Sequence, residues 1–103
     1  MKKNWDCILI GRACIDILTQ VENYPPEDSK VVVSGWQQVG GGQASTCSCL
    51  ISSLGGKVAF IGRLGIDPEG DMAIAEMENY GIDCSFIKRD SRFATPKAFI
   101  AIK

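Results

Sequence analysis

Three consecutive glycines, Gly40, Gly41 and Gly42, run directly into Gln43, Ala44, Ser45, Thr46, Cys47, Ser48 and Cys49, and two more, Gly55 and Gly56, close the stretch. Small residues between glycine punctuation predict a short helix that packs closely on its neighbours. A backbone without side chains, set just before a helix N-terminus, lets a ligand approach free N–H groups. The stretch therefore reads as the floor of a small-molecule pocket. Within the helix, Ala44, Cys47, Leu50, Ile51 and Leu54 recur at helical spacing and are the expected buried stripe, with Ser45, Ser48 and Ser52 off it. Cys47 is expected in the core. Cys47 and Cys49 are two residues apart and face different sides of a helix, so they make no metal clamp.

The flanking segments supply a frame. Cys7, Ile8, Leu9 and Ile10 form an apolar run ending at Gly11, the pattern of a parallel strand buried on both faces. Residues 57–61 repeat that pattern and end at Gly62, giving strand, helix, strand in the βαβ order of a parallel sheet. Asp67 is placed as an N-cap and Pro68 at the first helical position, with Glu69 and Asp71 at the positive end of the helix dipole. Ala73, Ile74, Met77 and Tyr80 form that helix's expected stripe, and Gly81 ends it. Residues 82–87 are expected as a strand, 88–92 as a polar connection and 97–103 as an alternating strand. Residues 17–21 and 30–39 are β-rich, the loop 24–29 carries two prolines, and no helix lies between them. They are expected to form an antiparallel ribbon attached to the α/β body.

Composition excludes several function classes. The 103 residues carry a net charge of −1 with no basic block, which disfavours broad binding to nucleic acid or anionic membrane. No window approaches a transmembrane length, and the charged start lacks an apolar core of signal-peptide length. The five cysteines are odd in number, contain no C-x-x-C, and have no histidine to join. Free thiols in a reducing cytoplasm fit this better than a zinc site or disulfide framework. A histidine-based triad is excluded within these residues.

The chemistry-bearing residues converge on one set. Gly56, Lys57 and Val58 do not complete a Walker A motif, and Gly40 to Gly42 is no G-x-G-x-x-G. Asp16 follows the first strand, where open α/β sheets place their ligands. It reads equally as a ligand contact or as a turn carboxylate capping local backbone. Together with Gly41, Gly42, Gln43 and Thr46 it offers a carboxylate, backbone N–H groups and neutral polar groups, a set suited to a polyhydroxylated ligand. Arg63 reads as a solvated or loop-pairing cation. No general base is paired with a nucleophile, and no carboxylate pair is placed for a metal.

In this order along the chain, Gly11 through Asp16, Gly41 through Thr46, Leu54-Gly55, the run from Phe60 to Gly70, Tyr80 through Asp83 and Thr95-Pro96 resemble the N-terminal part of the ribokinase-like (PfkB) carbohydrate kinases. Residues 24–29, with Trp36, Gln37 and the glycine turn, look most like ketohexokinase-type ketose kinases. The resemblance implies an α/β, Rossmann-like three-layer αβα fold with an antiparallel β-lid. Residues 1–103 would be the N-terminal portion of one such domain, an incomplete fold, with lid strands at about 17–39 and 97–103. It also implies transfer of the γ-phosphoryl group of ATP, with Mg2+, to a hydroxyl of a small carbohydrate. Asp16 would bind sugar hydroxyls, Gly41 and Gly42 would let the sugar lie on the backbone, and Gln43 and Thr46 would add side-chain contacts. Asp28 would lie on the lid, which in ketohexokinase-like homodimers reaches the partner's sugar. Two positions depart from the family: Thr46 stands where Asn is usual, and Gln43 is longer than the Asn of ketohexokinase-like sequences. The nucleotide site and catalytic Asp of the family belong to a C-terminal part not found in these residues, so they would be inactive alone. The rival readings are a non-catalytic sugar-binding or dimerisation module of the same fold half, and a nucleoside kinase relative.

Overall fold

A computed structural model describes residues 4–103; residues 1–3, and with them part of the charged start, lie outside the described residues. The strands are β1 (Cys7–Ile10), β2 (Cys14–Gln20), β3 (Gln37–Gly41), β4 (Val58–Gly65), β5 (Asp83–Asp90) and β6 (Lys97–Ile102). The helices are α1 (Gln43–Ser53) and α2 (Pro68–Asn79). They build two three-stranded sheets, one in the order β1-β4-β5 and one in the order β3-β2-β6.

The first sheet is parallel throughout, as its apolar runs require. Its two crossovers step in one direction, β1 to β4 to β5, so a constant crossover hand sets both helices on the same face. Val58, Phe60, Leu64, Ala73, Met77 and Ile82 form the core between sheet and helices. The expectation that β1 is buried on both faces fails for this chain. Leu9 packs on the core, whereas Ile10 is 75% exposed on the opposite face. Two of the three expected layers are therefore present. The charged residues Lys88, Arg89 and Asp90, expected in a connection, continue β5 instead. β5 is an edge strand, and an edge tolerates charge.

The second sheet is built from the segments expected to form the lid. β2 and β3 pair antiparallel as expected, but β2 begins earlier, at Cys14, residues 30–36 form no strand, and β6 joins β2 in parallel, so the sheet is mixed. It projects from the body: the molecule measures 60 × 33 × 19 Å, and its radius of gyration of 16.1 Å exceeds the roughly 13 Å of a compact chain this long.

Both helices end as their glycines dictate. Gly55 and Gly56 donate to the Ser52 and Ile51 carbonyls, and Gly81 and Ile82 donate to those of Glu78 and Met77. These are paired Schellman bonds, with φ 95° at Gly55 and 80° at Gly81. The buried face of α1 is not the expected apolar stripe. Ser45 and Ser48 are buried, Cys47 is exposed, and Leu54 is 79% exposed. Small side chains win that face because the backbone comes close: a Cβ on Gly11 would lie 2.8 Å from the Ala44 Cβ. The Ser48 hydroxyl is satisfied by donating to the Ala44 carbonyl of its own helix at 2.8 Å. In α2, Ala73 and Met77 are buried as expected, while Tyr80 is exposed.

Asp67 caps α2 and does more. Its carboxylate accepts from the Gly70 N–H at 2.7 Å, the Thr95 N–H at 2.8 Å and the Thr95 hydroxyl at 2.6 Å. Thr95 is buried, and its hydroxyl oxygen in turn accepts from the Gly65 N–H at 3.0 Å. These donors, the Thr95 hydroxyl foremost, hold the Asp67 carboxyl below its usual range. The folded chain thus favours the ionised form. That stabilisation is complete above the ordinary carboxylate pKa of about 4 and is lost as pH falls through the lowered folded value. We expect Asp67→Ala to cost about 1–3 kcal/mol in denaturant unfolding, through the lost cap and the orphaned Thr95 donors. Asp67→Asn should flatten the loss of stability below about pH 4; an acid limb identical to that of the parent would contradict this.

Candidate functional site

The residues expected to form the floor lie where the β3-β2-β6 sheet meets the body. Asp16 lies inside β2, third in the strand, and not in a loop after β1. It stands opposite Val39 on β3 and Ala98 on β6. Strand alternation puts Cys14, Asp16 and Leu18 on one face of the lid and Ile15 and Ile17 on the other. Ile15 is fully buried in the core, which fixes the first face as the one pointing away from it.

The glycine run sits partly in β3 and partly at the start of α1, and each glycine has its own close neighbour. A Cβ on Gly40 would fall 2.5 Å from a Glu76 carboxylate oxygen, and that carboxylate accepts from the Gly40 N–H at 2.6 Å. A Cβ on Gly41 would fall 2.5 Å from Oδ2 of Asp16. A Cβ on Gly42 would fall 2.4 Å from the Arg12 carbonyl oxygen, and its backbone, at φ 97° and ψ 141°, lies where L side chains rarely go. Gly41 therefore makes room for the Asp16 carboxylate, and Gly42 lets α1 start against the β1–β2 connection.

Gly42 is the N-cap and brings no side chain, so no side-chain hydrogen bond caps the first turn of α1. Ser45 donates its N–H to the Arg12 carbonyl at 3.2 Å. Gln43 and Thr46 are exposed one turn apart on the same helix side. A cleft of about 340 Å³, lined by Leu9, Ile10, Gly11, Arg12, Gln43 and Ala44, opens at the C-terminal end of β1. That is where parallel sheets receive ligands. Two larger concavities, about 450 and 480 Å³, lie further out on the lid, and neither is lined by Asp16, Gly41 or Gln43. Asp16 and Gly41 do not line the smaller cleft either; of the expected site residues Gln43 alone does, and it links the cleft to the Asp16–Gly41 contact through the start of α1.

Asp16 and Gly41 are thus in contact, and Gly42, Gln43 and Thr46 follow directly on α1. Asp28 stands apart, exposed in the loop before β3 with φ 56°. Arg63 is exposed on β4, 3.9 Å from Asp90 and 5.3 Å from the Phe93 ring centroid, as a paired cation. One site neighbour is absent from the sequence reading. The Cys14 thiol lies 3.5 Å from Oδ1 of Asp16 and donates to it. Burial first, and then Asp16, push its pKa up, so it stays protonated. The signal for Cys14 is its spacing of two from Asp16, which places both on one face once 14–20 is read as a strand.

Against known proteins, the model of the pfkB family carbohydrate kinases matches residues 5–103. The chain belongs to this family of carbohydrate kinases, and its fold is ribokinase-like. It is 32% identical over 91 residues to ketohexokinase of Mus musculus, covering 86% of this chain and 30% of that protein. It is 35% identical over 103 residues to the 5-dehydro-2-deoxygluconokinase of Geobacillus thermodenitrificans, covering 99% and 29%. Among solved structures, Arabidopsis thaliana ribokinase complexed with ribose and ATP superposes with a TM-score of 0.83 at 21% identity, over 94% of this chain and 32% of that one. A sugar kinase of Pyrococcus horikoshii in complex with ATP gives 0.80 at 28% identity, over 94% and 30%. The chain thus spans about 30% of the length of the curated relatives it matches.

The glycines give a direct test. Gly42→Ala is expected to lower stability by about 1–3 kcal/mol, from its φ and the Arg12 carbonyl. Gly35→Ala, whose Cβ would meet nothing within 4 Å, is the control and should be neutral or slightly stabilising. Equal unfolding midpoints for the two variants would contradict the packing described.

Proposed function

We propose that this chain forms the acceptor side of a sugar kinase, one that transfers the γ-phosphoryl group of ATP to a hydroxyl of a small carbohydrate. The observation that carries the reading is the Asp16 carboxylate lying over the bare Gly41 at the lid–body junction, beside a start of α1 that no side chain caps. A carboxylate accepts hydrogen bonds from sugar hydroxyls, and the N–H groups of Gln43 and Ala44, ahead of the one Ser45 gives to Arg12, would donate to sugar oxygens. Gln43 and Thr46 add side-chain contacts at the rim. Gly41 and Gly42 allow the sugar ring to approach the backbone. The lid would close over the sugar and keep water from the transferring phosphoryl group. ATP and Mg2+ are the proposed donor and counter-ion; this chain supplies acceptor residues, and none is assigned to the nucleotide. A ketose such as fructose is the proposed acceptor, supported by the ketohexokinase and fructokinase relatives.

In this reading residues 1–103 are the N-terminal portion of one ribokinase-like domain. The cytoplasm is the proposed compartment, a reading supported by the five free cysteines. The lid is also proposed to pair with a second copy, with Asp28 reaching toward the partner's sugar. Its Ile15–Ile17 face, where it extends past the body, carries Trp36 and Ile17 beside Phe99, which is 81% exposed. An apolar surface of this kind is better covered than solvated.

The test is phosphorylation of fructose, ribose, adenosine and 5-dehydro-2-deoxygluconate by the full-length translation product that carries these residues. We expect ATP turnover with a ketose, and a fall of roughly 100-fold or more in kcat/KM for Asp16→Ala. No turnover with any acceptor would overturn the kinase reading, and retained sugar binding would then favour the non-catalytic module. For the lid, sedimentation should show a dimer that Phe99→Asp converts to monomer; a parent protein that stays monomeric at high concentration would refute the pairing.

A further inference from the structure

We infer that Cys14 is a positioning residue for Asp16: its thiol holds the acceptor carboxylate in the orientation that receives the substrate hydroxyl. This rests on the acceptor-site reading of Asp16. The two side chains share one face of β2 at a spacing of two, with Sγ 3.5 Å from Oδ1. On its other side the carboxylate lies against the bare Gly41, register partner of Cys14 itself. One carboxylate oxygen is thus engaged by the thiol, while Oδ2 has no protein partner among the described residues. A carboxylate on a strand can rotate about two side-chain torsions. A fixed donor on one oxygen removes part of that freedom before the sugar binds and leaves the second oxygen to accept from it. Burial and the neighbouring carboxylate keep the thiol in its donating, protonated form.

The role differs from core packing in what it moves. Cys14→Val keeps an apolar β-branched side chain suited to a strand and removes the donor. Cys14→Ser keeps a donor. In the full-length translation product, Cys14→Val should raise KM for the sugar roughly three- to tenfold with kcat and KM for ATP within about twofold. Cys14→Ser should recover most of that loss. A second measurement is independent of turnover. Asp16→Asn removes the charge that disfavours the thiolate, so alkylation of Cys14 by iodoacetamide at pH 8, followed by peptide-resolved mass spectrometry, should speed up roughly threefold or more. Unchanged alkylation at Cys49 and Cys84 would show that the fold is intact.

The outcomes separate the two readings. If Asp16→Asn destroys sugar use while Cys14→Val leaves the sugar KM unchanged, the positioning role is wrong and the acceptor site stands. An unchanged alkylation rate at Cys14 in Asp16→Asn also overturns the positioning role. If Asp16→Asn leaves the sugar KM unchanged, the acceptor-site reading falls, and this inference falls with it.

Discussion

The Asp67 carboxylate is the point on which the two sheets depend. It accepts three hydrogen bonds, one from the first turn of α2 and two from Thr95, the residue before the Pro96 that leads into β6. Thr95 reaches back to Gly65 at the end of β4. Helix start, strand end and lid start are therefore joined at one group. Arg89 closes the other side, donating from Nε to the Gly65 carbonyl at 2.8 Å and pairing with Asp71 at 2.8 Å. Just beyond, Ile15 donates its N–H to the Pro96 carbonyl at 3.0 Å, and the parallel β2–β6 ladder begins there. The register of that ladder sets Asp16 opposite Ala98 and turns its carboxylate away from the core. A capping interaction on α2 thus positions a side chain on a strand of another sheet.

A second tie works from α2 as well. Glu76 holds the Gly40 N–H, so β3 is anchored to the same helix that anchors β6. The β3-β2-β6 sheet projects from the body, yet both of its outer strands are referenced to α2. The proposed lid would need this combination: reach at the tip and fixed register at the base.

Local chemistry made part of this legible in sequence. The Asp67-Pro68 start, the two glycine helix ends and the apolar runs of β1 and β4 follow from neighbours within a few residues. What is not legible depends on distant partners. Cys14 to Asp16 reads as a loop because the strand there exists through pairing with residues 97–102, some eighty positions away. The buried face of α1 is misread because hydrophobicity marks Cys47, Leu50 and Leu54, whereas close backbone approach at Gly11 and Arg12 selects Ser45 and Ser48. The charged end of β5 reads as a connection because edge position is a property of the sheet and not of the segment. In the site, the identity of Asp16 and Gly41 is visible in sequence, but their contact, and the thiol beside them, require the register of β2 on β3.

The same register bears on the proposed role of the glycine run. Taken as a string, three glycines before a helix suit a phosphate, which would lie on free N–H groups at the positive helix end. In the fold, two of the three are occupied by protein: Gly40 by Glu76 and Gly42 by the Arg12 carbonyl. Gly41 faces a carboxylate whose second oxygen remains to be filled. A phosphate brought to that position would meet a like charge at close range, which costs energy wherever water is excluded. A sugar hydroxyl would instead donate to the carboxylate and accept from the helix start. The charge next to the glycine, more than the glycine itself, separates an acceptor floor from a phosphate cradle.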